Sequence, residues 1–174
     1  MEVKHLNMPL IIKSVSDTGE FEGYGSVFGV KDSYGDAVMP GAFQRSLSEW
    51  VAKGRLPAML WQHKTSEPIG IYTEMKEDEH GLYVKGRLLI DDDPLAKRAY
   101  AHLKVGSLGG LSIGYYIRDY EYDSQLGIYK LIDIDLWEVS LVTFPANDEA
   151  RVSNVKSKIG DILQPLRDLK SIFN

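Results

Sequence analysis

Apolar and polar residues alternate with a period of two from Glu20 to Phe28, Ile69 to Lys76, Gly81 to Asp91, Leu111 to Tyr120 and Gly127 to Thr143. That period predicts strands, because successive side chains of an extended chain point to opposite faces. The cleanest is GLYVKGRLLID, where Leu82, Val84, Leu88 and Ile90 share one face and Tyr83, Lys85 and Arg87 the other. Glu77 to Gly81 forms a polar loop ending in a residue that tolerates positive φ, so IGIYTEMK and GLYVKGRLLID should pair as a hairpin.

Two segments switch to helical spacing. After Asp93 as cap and Pro94 as first helical residue, Leu95, Ala99 and Leu103 recur on one face, and Gly106 ends the run. Pro40 to Gly54 places Phe43, Leu47, Trp50 and Val51 on one stripe. From about Arg151 the strand pattern stops, and Ile159, Ile162, Leu163, Leu166, Leu169 and Phe173 predict an amphipathic helical tail interrupted at Pro165. The expected architecture is mainly β with helices: an antiparallel barrel or sandwich over residues 1–152, followed by a helical tail over 153–174.

Composition narrows the function classes. A chain of 174 residues with 44% hydrophobic and 26% charged residues is one globular domain with a core of its own. Twenty Lys and Arg against 25 Asp and Glu leave a net charge of −5, which opposes nucleic-acid binding through counterion release. The absence of cysteine removes thiol nucleophiles, Cys-ligated zinc and iron–sulfur clusters, and fits a reducing compartment. The N-terminal stretch MEVKHLNMPLIIKSV carries an apolar run interrupted by Pro9, too short for a signal sequence or membrane span, so a cytosolic chain without a membrane partner is expected.

Three residues on separate segments hold the inventory of nucleophilic acyl transfer: a hydroxyl, a base to take its proton and a carboxylate to orient the base. His63 closes the strand-like AMLWQHK, beside the turn-forming residues Lys64, Thr65, Ser66, Glu67 and Pro68. Ser112 lies in GSLGGLSIGY, where glycines allow close approach of a backbone or substrate. Glu138 sits among apolar neighbours in DIDLWEVSLVTFPA, on the face of Leu136, Ser140 and Val142, where a carboxylate calls for a cationic or hydrogen-bonding partner. Taken singly, each residue also reads as ordinary structure: a surface or core histidine, a glycine-rich strand start with a bulge, a solvated strand face. His5, His80 and His102 form no metal pattern, and Asp91, Asp92 and Asp93 lack the spacing of a calcium loop, so neither metal nor cofactor is expected.

Read in order, GYGSVFGVKDSYGDAVMPGAF, LWQHKTSEPIG, GGLSIGY and DLWEVSLVTFPANDEA resemble the successive motifs of tailed-bacteriophage prohead maturation proteases, serine peptidases distantly related to herpesvirus assemblin. The resemblance spans about residues 20 to 150. It implies a herpesvirus-protease-like β-barrel core wrapped by helices, with His63 as general base, Ser112 as nucleophile and Glu138 orienting His63, a role that a second histidine fills in the herpesvirus relatives. Asp133 and Asp135 are the fallback acids, and Ser107 and Ser140 the serines most easily confused with Ser112. Oxyanion donors are sought among the amides of Gly109, Gly110 and Ile113 and the side chains of Arg118 and Arg151.

The resemblance further implies a serine endopeptidase packaged inside the immature capsid in the host cytoplasm. Its substrates would be the major capsid protein with its scaffold-like segment, and the enzyme itself by self-cleavage. Its activity would depend on self-association as a homo-oligomer. The 153–174 tail would dock on capsid or scaffold, or pack on its own barrel. The competing readings are a non-catalytic capsid-assembly or scaffolding factor on the same scaffold and a general serine esterase, the latter without the GxSxG elbow of α/β-hydrolases.

Overall fold

The alternation of buried and exposed residues sets out strands β1 (Lys4–Pro9), β2 (Glu20–Val27), β3 (Asp36–Val38), β4 (Ala58–Trp61), β5 (Lys64–Glu77), β6 (Gly81–Leu88), β7 (Gly110–Asp123) and β8 (Ile128–Val142), with helices α1 (Gln44–Ala52) and α2 (Pro94–Val105). This computed structural model describes residues 4–9 and 18–144. The predicted tail, its break at Pro165 and the 152/153 boundary lie outside the described residues.

The eight strands form one sheet in the order β1-β7-β8-β4-β5-β6-β2, with β3 also on β8. Pairing is antiparallel between β1 and β7, β2 and β6, β4 and β5, β5 and β6, and β7 and β8. Both β3 and β4 run parallel to β8. The sheet is therefore mixed rather than the antiparallel barrel expected. It curls until β1 and β2, its two ends, approach each other, but no ladder joins them among the described residues. Where the curl brings β2 over β8, a Cβ on Gly25 would stand 3.3 Å from Val139. The enclosed core is built from Phe21, Leu82, Val84, Ile113, Val139 and Leu141 among others, each fully buried aliphatic side chain worth about 1.5–3 kcal/mol.

The parallel strands arise because the chain passes β8 twice along the same edge. β3 meets β8 at Tyr129 to Leu131, and β4 meets it at Glu138 to Leu141. Between them the β8 backbone has no strand partner on that edge among the described residues, and buried peptide groups need one. The α1 region supplies it: Ile134 N–H donates to Ala42 O (3.1 Å), Leu136 N–H to Ser46 Oγ (2.9 Å), and Trp50 Nε1–H to Leu136 O (2.7 Å). Helix α1 begins later than the Pro40 start predicted. Its lead-in turn is tied by the Glu77 carboxylate, which accepts from Phe43 N–H (2.7 Å) and Gly41 N–H (3.2 Å).

Helix α2 follows its predicted signals, with Asp93 Oδ1 accepting from Leu95 N–H at 2.8 Å and Gly106 closing the helix at φ 73°. The β5–β6 hairpin also forms, but Gly81 serves for space rather than for positive φ. A Cβ there would lie 2.0 Å from Ser26 O of β2. β6 stops at Leu88, short of Asp91, because Asp92 and Asp93 turn back to donate to Leu89 O and open α2.

Candidate functional site

The site is built on the β7–β8 ladder. Leu111, Ile113 and Tyr115 of β7 are buried in the core, so Ser112 and Gly114 between them face the other side of the sheet. Across the ladder, Ser112 pairs with Ser140 and Gly114 with Glu138. The next pair is Tyr115 with Leu136, which leaves Trp137 as an extra residue in β8.

That bulge decides where Glu138 points. Before it Ile134 and Leu136 face the core, and after it Val139 and Leu141 do. One added residue shifts the two-residue period, and bulges re-aim side chains in this way beside functional sites. Glu138 therefore does not share the face of Leu136, as the uninterrupted pattern suggested. It is turned with Ser140 onto the face of Ser112 and Gly114. Gly114 makes the room: a Cβ on it would stand 2.3 Å from Glu138 Oε1 and 2.9 Å from Cδ.

His63 arrives from the next strand. β4 lies along β8 with Ala58 opposite Glu138 and Leu60 opposite Ser140, and Trp61 pairs with Lys64 across a two-residue loop. Gln62 and His63, the loop residues, have φ of 52° and 60°. Left-handed backbone at both central positions is the type I′ geometry that matches strand twist, at a cost of about 1–2 kcal/mol for each non-glycine residue. The predicted turn at Lys64 to Pro68 is instead the start of β5.

Bonds to β8 hold the turn in place. Gln62 N–H donates to Leu141 O (3.0 Å), Gln62 Nε2 to Thr143 Oγ1 (2.7 Å), and His63 N–H to Ser140 Oγ (3.0 Å). His63 Nδ1 then lies 2.6 Å from Glu138 Oε1, with the two side chains only 18% and 10% exposed. A carboxylate only accepts, so Nδ1 is the donor in this bond, and in the neutral ring that tautomer puts the lone pair on Nε2. Ser140 Oγ–H donates to the other oxygen, Glu138 Oε2, at 2.6 Å. Tyr72 Oη–H donates to Val139 O at 3.0 Å. Burial, and secondarily the charge of Glu138, pushes the Tyr72 phenol well up and keeps it a neutral donor.

The structure thus brings His63 and Glu138 into contact, and sets fully buried Ser112 on the adjoining strand opposite Ser140. The fallback acids are engaged elsewhere. Arg45 binds Asp133 (Nε to Oδ2, 2.9 Å) and Asp135 (Nη2 to Oδ1, 2.5 Å), and Arg118 also binds Asp135. Burial works against the Asp135 charge, but hydrogen bonds from Arg118 and Arg45 hold its carboxyl below the usual range. Arg118 is therefore committed to an ion pair, and Gly110 and Ile113 lie inside β7 between β1 and β8, where amides serve the ladders. Arg151 lies outside the described residues.

Ser107 Oγ sits 2.7 Å from His102 Nδ1 in the exposed turn that ends α2, outside the strands that carry His63 and Glu138 to each other. His80 packs edge-on against Tyr24. No group of three or more metal-ligating side chains occurs among the described residues. Sequence reading missed the bulge at Trp137 and the roles of Gly114 and Ser140 around Glu138. The available signal was the Ser-x-Gly spacing, which places a missing side chain next to the serine on one strand face.

Residues 8–165 match the family described as caudovirus prohead serine protease. The prohead protease of Enterobacteria phage HK97 is 37% identical over 94% of this chain and 76% of its own length. That of Escherichia phage T5 is 28% identical over 89% and 74%. In fold, the bacteriophage T4 capsid assembly protease superposes with a TM-score of 0.63 at 13% identity, covering 83% of this chain and 100% of the T4 chain. These matches give no support to the non-catalytic assembly factor.

Proposed function

The chain belongs to the family of caudovirus prohead serine proteases, and on that premise we propose that His63, Ser112 and Glu138 are the catalytic triad of this serine-type capsid maturation protease. The observation that carries the assignment is the 2.6 Å contact between His63 Nδ1 and Glu138 Oε1 on the sheet face that Ser112 shares.

In this reading Glu138 accepts the Nδ1 proton's hydrogen bond and so fixes the tautomer in which Nε2 is the base. His63 Nε2 takes the Ser112 hydroxyl proton as Oγ attacks the peptide carbonyl carbon. The imidazolium, stabilised by Glu138, passes that proton to the leaving amine as the C–N bond breaks. Water then attacks the Ser112 acyl ester, giving one proton to His63 and releasing the new carboxyl end. Return of the proton to Ser112 Oγ closes the cycle.

The substrate is the capsid protein with its scaffold-like segment, and the chain itself by self-cleavage, inside the immature capsid in the host cytoplasm. The curled sheet with its two helices supports a herpesvirus-protease-like scaffold. The apolar spacing of 153–174 supports a docking tail following a protease domain over 1–152, with self-association as the trigger of activity. No described helix is long and apolar enough to cross a membrane.

Mass spectrometry after reaction with a fluorophosphonate tests the triad. The expected adduct is on Ser112, absent from Ser112→Ala and formed about 10³-fold more slowly in His63→Ala. An adduct on another residue, or an unchanged rate in His63→Ala, contradicts the assignment.

A further inference from the structure

Ser140 is fully buried and lies between the two groups a triad must keep aligned. Its hydroxyl donates to Glu138 Oε2 at 2.6 Å and accepts from His63 N–H at 3.0 Å, while Glu138 Oε1 meets the ring of the same histidine. The three bonds close a ring that runs from the His63 backbone through Ser140 and Glu138 to the His63 imidazole. A hydroxyl has one proton and two lone pairs. With its proton on Glu138, Ser140 has none to offer the imidazole, which separates it from a nucleophile despite its place opposite Ser112.

Each bond of the ring removes a freedom the site would otherwise have. A carboxylate held by one oxygen can still rotate about its last torsion, and binding of the second oxygen by Ser140 fixes its plane toward Nδ1. The His63 backbone stands at φ 60° in a loop without glycine, a strained state that persists only where surrounding bonds over-determine it. The bond from His63 N–H to Ser140 is one of those. Ser140 thus sets the carboxylate and the turn carrying the base from a single atom of β8.

The geometry points to Ser140 as a positioning residue of the protease, acting through Glu138 and the His63 turn without touching substrate; this rests on the triad assigned above. Side chains displaced by about 1 Å can cost on the order of 100-fold in rate. For Ser140→Ala we expect kcat on a capsid-derived peptide to fall about 10- to 100-fold with KM little changed. The far-downfield Nδ1–H resonance of His63 should broaden or vanish at neutral pH. Ser140→Thr, which keeps the hydroxyl, should recover the resonance and most of the rate.

Wild-type kcat and an unchanged resonance in Ser140→Ala would overturn the proposal. Ser112→Ala, run alongside, separates the two levels. If it is inactive while Ser140→Ala is unimpaired, the triad stands and the positioning role falls. If Ser112→Ala keeps its activity, or the fluorophosphonate adduct maps to Ser140, both fall. Should Ser140→Ala fail to fold, the wild-type protein carries the test: a slowly exchanging Ser140 hydroxyl proton with a nuclear Overhauser effect to the Glu138 side chain is expected, and its absence overturns the proposal.

Discussion

The Cβ that Gly114 lacks would stand 2.3 Å from Glu138 Oε1, the oxygen that meets His63 Nδ1 at 2.6 Å. The space left by one missing side chain on β7 is thus occupied by a carboxylate from β8. The neighbouring pair in the same ladder, Ser112 and Ser140, places two hydroxyls on that same face.

Gly114→Ala should therefore cost both activity and stability. The clash falls on the Glu138 carboxylate and its Cγ, and moving that buried side chain breaks its bonds to His63 and Ser140, a loss of about 1–3 kcal/mol or more. Peptide turnover should drop about 100-fold or more, and the melting temperature should fall by about 2–4 °C for each kcal/mol lost. Turnover close to wild type would show that Glu138 does not need this space.

Ser46→Ala should destabilise without touching His63, Ser112 or Glu138. It leaves Leu136 N–H, otherwise bonded to Ser46 Oγ at 2.9 Å, without that partner on an edge that no described strand covers. An orphaned buried amide costs about 1–3 kcal/mol, and denaturant unfolding with an unchanged m-value should report that loss.

Asp135→Asn should give a stability difference that depends on pH with a fixed sign. Arg118 and Arg45 hold the Asp135 carboxyl below its ordinary value against the effect of burial. A depressed folded-state pKa contributes stability that is fully present above the unfolded value of about 3.9 and lost as pH falls through the folded one. The wild type should exceed the variant by about 1–2 kcal/mol near neutrality, and the gap should close below about pH 4. A gap that persists or widens at low pH contradicts the ion-pair account.

Asp93→Ala should cost about 1 kcal/mol through loss of the bond from Leu95 N–H to Asp93 Oδ1. Thermal unfolding should shift down by about 2–4 °C.

Legibility in the sequence followed the range of the forces involved. Asp93, Pro94 and Gly106 each act within a turn or two of chain, and α2 begins and ends where they place it. Leu82, Val84 and Leu88 alternate on a half-buried strand, and β6 follows them. The parallel course of β3 and β4 along β8 was invisible, because it depends on pairing between distant segments, and β3 is three buried residues too short to show a period. The His63 turn was missed because Gln62 and His63 lack the glycine or asparagine that usually announces a type I′ loop. It is held there by Ser140, Leu141 and Thr143 instead.

The candidate site divides the same way. His63, Ser112 and Glu138 were readable as residue types within ordered motifs. The face on which Glu138 lies was not, because a bulge at Trp137 reverses the alternation halfway along β8. Gly114 and Ser140 acquire their roles only from cross-strand register, which no local pattern records.

The most direct test of the account is intact mass spectrometry of this chain co-expressed with its capsid protein, comparing wild type with Ser112→Ala and His63→Ala. The account predicts defined trimming of the capsid protein and of the protease in the wild type, and none in either variant. Trimming that survives Ser112→Ala would contradict it.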